Sequence, residues 1–296
     1  MKNKHFSRLM TCVCGVMLLC VASCEKMNLS ERSGSSDKEQ ERNVVLRVSS
    51  FEQTPFTSVT RAAVADVCTR LNFIVYNKEG SRIRQVQQTI SDEDFGQAGF
   101  YLSSGTYFLV VVGHSSNGNP TSTNAEKIAF TNSTGYTDTF FYAGSLTVDD
   151  QGVEKDLSLS RIVAMVRFVF DDAIPAKANR IRFYYTGGSG TFDAKAGGWG
   201  VVNSKQTQFY DITHSERQFG IYTIPHGDDD KLTVTVTTYE GAEDDATILS
   251  EREIEDIPVL RNHITTCYGS LFSPVFGVKF KITIEDEWDE GIEFSF

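Results

Sequence analysis

Past its first 24 residues the chain is nearly without cysteine: of six, only Cys68 and Cys267 remain. Two thiols so far apart provide no disulfide framework. They read either as one bridge made in an oxidising compartment or as two separate buried thiols packing as small hydrophobes. Helix signals are scarce too; only Asp92 to Phe95, after Ser91, and a short turn near Asp172 to Asn179, limited by Pro175, look helical. Positive charge is in deficit, with 28 Lys and Arg against 39 Asp and Glu. That balance argues against a nucleic-acid groove, whose affinity comes largely from neutralising phosphates. Catalytic signatures are missing as well. His5, His114, His214, His226 and His263 form no HExxH and no metal-ligand spacing with cysteine. No Gly-x-Ser-x-Gly elbow joins a strand to a helix. The run Gly187-Gly188-Ser189-Gly190 lacks the Lys-Ser/Thr pair and the following helix of a phosphate loop. It reads as a hairpin or long loop, as does Ala196-Gly197-Gly198-Trp199-Gly200.

What is present begins with a leader. Lys2, Lys4 and Arg8 precede an uncharged apolar stretch from Met10 to Val21, then Val21-Ala22-Ser23-Cys24. A basic start, a short apolar run and small residues before a cut mark an export signal. The run is too short to span a bilayer as a permanent helix, which needs about 20 apolar residues. The segment Leu18-Leu19-Cys20-Val21-Ala22-Ser23-Cys24 resembles a bacterial lipoprotein signal, in which Cys24 takes a diacylglyceryl thioether and becomes the acylated N-terminus. One acyl chain holds weakly and two or three hold stably. Residues 1–23 are thus read as the signal peptide. Removing them takes away three basic and no acidic residues, so 25 Lys and Arg face 39 Asp and Glu, and the formal charge moves from -11 to -14. Residues 24–42 are polar and rich in Ser and Glu, a flexible tether that cannot bury enough apolar area to order itself. Lipid and tether together place the folded part at the outer membrane, facing outward.

The remainder alternates in the manner of strands. Asn43 to Val48, Leu71 to Tyr76 and Ser81 to Val86 read as strands, and Gly105 to His114 is the strongest candidate for a central one. Thr139 to Val148 returns the chain to the sheet, and Leu157 to Phe170 is a long β-favouring passage. Further strands are expected at Asn179 to Tyr185, Gln218 to Ile224, Leu232 to Tyr239, Ile248 to Ile254 and Val275 to Ile284. Short strands, Gly-rich turns and little helix predict an all-β chain of two tandem sandwiches, residues 43–159 and 160–296.

Candidate chemistry is thin. His114 follows the central strand and reads as a strand-end residue. Asp228-Asp229-Asp230, Glu243-Asp244-Asp245, and Glu285-Asp286-Glu287 with Asp289-Glu290 are acidic runs, but none has the spaced oxygens and tight turn of a calcium loop. They read as solvated turns, with no metal, no cofactor and no catalytic residue. Trp199, in its Gly-rich loop, is a candidate sugar platform; packing onto the domain beneath is the plainer role. Two carboxylates from different strands could still meet as in a glycosidase, though the preferred reading is not an enzyme.

Several motifs, in order, carry a resemblance: Cys24, Thr60-Arg61 after the first strand, Leu159-Ser160-Arg161-Ile162-Val163-Ala164, Arg261-Asn262-His263 before Tyr268-Gly269-Ser270-Leu271-Phe272, and the region of Trp288. Together they resemble the fimbrillin superfamily of Bacteroidales, the pilins and the fimbrial anchor and tip lipoproteins. The resemblance implies two transthyretin-like Greek-key sandwiches and assembly with other fimbrial subunits by donor-strand exchange. It also implies an arginine-specific protease cutting after Arg61, so that the strand carrying Val44, Leu46 and Val48 is displaced. After Ile284 the tail is acidic, and only Ile292, Phe294 and Phe296 alternate, which favours an anchor, accessory or tip subunit over a repeated stalk pilin. A host protein or glycan is the expected adhesion ligand. The alternative is a glycan-binding surface lipoprotein.

Overall fold

A computed structural model describes residues 42–52, 63–213, 215–241, 247–272 and 280–285. In chain order the first half supplies β1 (Val44–Glu52), a one-turn helix α1 (Val64–Val67), β2 (Arg70–Tyr76), β3 (Arg82–Thr89), β4 (Gln97–Phe100), β5 (Gly105–His114), β6 (Ile128–Ala129), β7 (Thr139–Val148) and β8 (Val153–Arg161). The second supplies β9 (Ala164–Phe170), β10 (Arg180–Thr186), β11 (Thr191–Asp193), β12 (Trp199–Gly200), β13 (Gln206–Asp211), β14 (Gln218–Thr223), β15 (Lys231–Glu240), β16 (Thr247–Pro258), β17 (Ile264–Gly269) and β18 (Lys281–Glu285).

The first half is a single hydrogen-bonded sheet, β3-β2-β5-β7-β8-β1-β4, folded over on itself. The fold lies between β7 and β8, which pair only at Phe140–Arg161 and Phe141–Ser160. Beyond that corner the sheet becomes two layers, β3-β2-β5-β7 and β8-β1-β4. Period-2 alternation explains the core between them: Leu71, Phe73 and Val75 from β2 and Leu109 and Val111 from β5 meet Leu46 from β1 and Leu157 and Leu159 from β8. The opposite faces of β2 and β5, with Ile74, Tyr76, Val110 and Val112, are also buried. Both strands therefore read as apolar runs, because both of their faces are covered.

The second half packs β13-β10-β15-β16 against β14-β9-β17-β18 around a core of Phe168, Phe183, Phe219 and Val234. Matched in chain order, the two halves have one topology. Strands β3-β2-β5-β7 correspond to β13-β10-β15-β16, and β4-β1-β8 to β14-β9-β17. In each half the first strand pairs in parallel with the last of the matched set, β1 with β8 and β9 with β17. Among the described residues the second half adds a further strand to this set, β18, antiparallel to β17.

A third cluster joins the halves. Ile74, Val110, Ile128 and Phe130 from the first meet Met165, Phe192, Tyr222 and Ile264 from the second, and β6 pairs with β11 across the same seam. Gly190 sits there because a Cβ would come within 2.6 Å of Tyr136 and 3.0 Å of the Phe130 carbonyl oxygen. The run Gly187-Gly188-Ser189-Gly190 thus connects β10 to β11 through a tight seam.

The helical turn expected at Asp92 to Phe95 is instead a pair of hydrogen-bonded turns. Gln88 fills the loop, its Nε2 donating to the carbonyls of Asp94 (3.0 Å) and Gln97 (2.8 Å). Nucleating a helix is costly, and a short β-β connection leaves it no room to propagate. The stretch near Asp172 to Asn179 is likewise bend and turn, and the described helix is at α1.

Candidate functional site

The strand carrying Val44, Leu46 and Val48 is the middle strand of its layer. On one side β1 runs parallel to β8 from Val44–Val153 to Glu52–Ser160. On the other it runs antiparallel to β4 from Val44–Phe100 to Arg47–Gln97. Val44 and Leu46 are fully buried and Val48 is 7% exposed. A register shift after Val48 puts Phe51 into the same core, edge-on to Phe140 with ring centroids 5.1 Å apart. Side chains of this kind contribute about 1.5–3 kcal/mol each on burial, as an upper estimate. The outward residue Arg47 reaches both neighbours, Glu154 at 3.0 Å and Gln97 at 3.3 Å; such exposed pairs add little.

The start of β1 is tied to the β7–β8 turn. Val153 N–H donates to the Asn43 carbonyl at 2.8 Å. Gly152 has a φ of +78°, and a Cβ there would lie 2.4 Å from the Asn43 oxygen. Asn43 Nδ2 also donates to the Leu102 carbonyl at 2.8 Å, and its Oδ1 accepts from Leu102 N–H at 2.9 Å. A strand held on both edges and packed into a core leaves a slot lined by unpaired backbone groups if it is withdrawn. Cys24, Arg61, Trp288 and the Ile292-Phe294-Phe296 stretch lie outside the described residues. Described β1 ends at Glu52, and the chain is described again from Ala63, so residues 53–62 join this strand to α1.

Two motifs distant in sequence meet at the seam. Arg161, 3% exposed at its side chain, makes a bidentate pair with Asp138: Nε to Oδ1 at 2.7 Å and a terminal nitrogen to Oδ2 at 2.8 Å. Its other terminal nitrogen donates to Asn262 Oδ1 at 2.8 Å, and the guanidinium lies 4.7 Å from the Phe140 ring centroid. Asn262 adopts a φ of +60° and donates its N–H to the Val163 carbonyl at 2.9 Å. Thus Arg161 and Asn262, one from each motif, form one clamp with Asp138 between the halves. Asp138, its acid, was not singled out from the sequence; it sits in an unpatterned loop.

His114 is fully buried at the end of β5. Its Nδ1 lies 3.2 Å from Ser116 N–H and its Nε2 lies 3.0 Å from the Asn72 amide nitrogen. Burial, assisted by the charge of Arg70, pushes the imidazole down to about 3. Below pH 6.5 the unfolded chain binds a proton that the folded chain refuses, so stability falls as pH drops from about 6.5 toward 3. We expect His114→Gln to flatten this slope, worth roughly 1 kcal/mol per pH unit at its steepest. Urea midpoints of both proteins between pH 7 and 5 measure it; parallel pH dependences would refute the assignment.

The remaining candidates are structural in the described residues. Cys68 and Cys267 are free thiols in separate cores, each pushed up to about 12 by burial. Asp230 closes its own turn, its Oδ2 accepting from His226 N–H at 2.5 Å and facing His226 Nδ1 at 2.8 Å. The run Glu243-Asp244-Asp245 and the residues from Asp286 onward lie outside the described residues. Among the described residues no three of His, Cys, Asp or Glu gather as a metal site. Trp199 is half-buried, and the Arg261 guanidinium lies 3.6 Å from its ring centroid. One face of the indole is therefore already covered.

Residues 36–295 match a family of unknown function, DUF6562. The chain belongs to that family. No curated protein matches it. Among solved structures, the fimbrial anchor protein Mfa2 of Porphyromonas gingivalis is similar at 11% identity and a TM-score of 0.45, over 82% of this chain and 96% of that one. The C-terminally truncated tip fimbrial protein Mfa3 of the same organism is similar at 13% identity and a TM-score of 0.40, over 83% and 99%. A candidate adhesin of Bacteroides thetaiotaomicron is similar at 13% identity and a TM-score of 0.46, over 83% and 96%. These neighbours are two fimbrial proteins and a candidate adhesin. At such values no residue role transfers from them to this chain.

Proposed function

We propose that this chain is a non-enzymatic subunit of a surface fimbria, exported as a lipoprotein on Cys24 and built as two sandwich domains, residues 43–159 and 160–296. The observation that carries the reading is the position of β1. It is the middle strand of its layer, it supplies Val44, Leu46 and Val48 to the core, and its covalent link to α1 and β2 is residues 53–62, which include Arg61. One cut after Arg61 by an arginine-specific protease would separate strand from slot. A strand from another subunit entering the slot would recover main-chain hydrogen bonds and alternate-side-chain packing together, which is β-strand addition.

The last described strand favours an anchor, accessory or tip role. In β18, Lys281 to Glu285 pairs with β17 of the same half, and Phe280 and Ile282 pack on its core. A strand so engaged is not on offer to a neighbour. The N-terminus decides between the roles. An anchor keeps an acylated Cys24 and with it β1; a stalk or tip subunit begins at Ala62. Intact mass of the protein from native envelopes reads this directly, and finding only the acylated Cys24 species would rule out cleavage at Arg61.

A further inference from the structure

Strands β1 and β8 lie side by side and point the same way, from Val44–Val153 to Glu52–Ser160, but the rest of the chain is attached to them at opposite ends. The segment that carries Cys24 enters β1 at its start, while β8 continues from its end through Ile162 and Val163 into β9 and the second half. A pull between that segment and the second half therefore draws β1 by its first residue and β8 by its last, in opposite directions along an axis of about 26 Å at about 3.3 Å per residue. The two strands can yield to it only by sliding. Ladder hydrogen bonds run across the strands, so sliding strains all of them together. A pull on the starts of both strands would instead open the pair from Val44–Val153 onward, one bond at a time.

Several features oppose sliding. A slip of one residue would turn Arg47 into the core and Leu46 out of it, and the register shift after Val48 would lose its matching place on β8. Phe51, held edge-on to Phe140, would have to be dragged through packed side chains. Cross-strand ties repeat along the pair. Arg47 meets Glu154 at 3.0 Å, Ser49 Oγ donates to the Leu157 carbonyl at 3.2 Å, and Ser160 Oγ donates to Glu52 Oε2 at 2.7 Å. The other edge of β1 is gripped as well: Val48 N–H donates to the Gly96 carbonyl at 2.8 Å, and the Asn43 side chain brackets the backbone of Leu102.

We propose that β1 is a directional mechanical joint, which carries tension between the N-terminal tether and the second half, holds against a pull along the strand and gives way to one across it. Its use at a membrane rests on the reading of Cys24 as the lipid anchor; the direction dependence rests on the β1–β8 pairing alone. The two fail separately, since the intact mass of native protein reads acylation and stretching of the unacylated chain reads the joint. Rupture under force is governed by the unfolding barrier, not by equilibrium stability, so one fold can resist two pulls differently. The test is single-molecule stretching of residues 24–296, made without the leader so that Cys24 keeps a free thiol. Cys68 and Cys267 are buried, which directs the handles to Cys24 and to the position changed in Lys177→Cys or in Gln151→Cys. Lys177 follows β9 and Gln151 lies in the turn before β8; both are exposed. The pair of Lys177 with Glu240 at 3.4 Å is exposed too and worth little, so both variants should melt as the parent does. With Lys177→Cys, where the strands must slide, the force that frees β1 should be severalfold higher than with Gln151→Cys, where they peel. Equal forces in the two geometries, or a lower force with Lys177→Cys, overturn the proposal.

Discussion

A chain that begins at Ala62, and so lacks β1, is expected to lose its first sandwich as a folded unit. Val44, Leu46, Val48 and Phe51 would leave the core, forfeiting about 6–12 kcal/mol of burial by the per-residue figures, against a total stability of about 5–15 kcal/mol for a typical domain. The backbone loss acts in the same direction. Withdrawing β1 leaves β8 and β4 with unpaired edges facing each other across an apolar slot, a template for pairing with any available strand. Thermal unfolding of the truncated chain should show the first transition absent or moved far down, and a peptide of residues 42–52 added in trans should restore it. The point substitution Leu46→Ala should cost about 2–5 kcal/mol, as for other fully buried leucines. If the truncated and full-length chains melted alike, β1 would be dispensable and the strand-displacement reading would fall with it.

The second large effect is expected at Arg161. Its bidentate pair with Asp138 and its bond to Asn262 are almost wholly out of water on the arginine side. Removing one partner of such a pair costs about 3–5 kcal/mol, mainly through the charge left behind. Asp138 keeps 25% of its side chain exposed, so water recovers part of its solvation, and Arg161→Ala should fall near the lower figure. Arg161→Lys should recover only part of the loss, because an ammonium cannot reproduce the fork that engages both carboxylate oxygens. Urea unfolding of the three proteins measures this. A cost for Arg161→Ala below about 1 kcal/mol, the level of an exposed pair, would mean that the clamp does not hold the halves together.

Much of the fold was legible along the chain because strand formation depends on neighbours in sequence. Leu71, Phe73 and Val75 alternate with Asn72, Ile74 and Tyr76, and the two sets go to the two sides of β2. The apolar run in β5 marks a central strand, and β5 does lie between β2 and β7. Weak strands were harder to see. Gln97–Phe100 alternates only at Ala98 and Phe100, yet it forms the second edge against which β1 pairs. Gln206–Asp211 carries little apolar pattern, since it is an edge strand with one face toward solvent.

By itself the sequence determined that the chain is all-β and where its apolar strands lie, and it raised the expectation of an export leader, residues 1–23, before Cys24. The tertiary structure alone decided which strands pair. Backbone hydrogen bonds are the same for every residue, so no local pattern says that β1 runs parallel to β8 about a hundred residues later, or that both halves repeat one topology without repeating a sequence. The same holds for Arg161 with Asp138 and Asn262. Each is assembled from segments whose proximity is a product of packing the whole chain, and the chemistry of any one segment carries no trace of it.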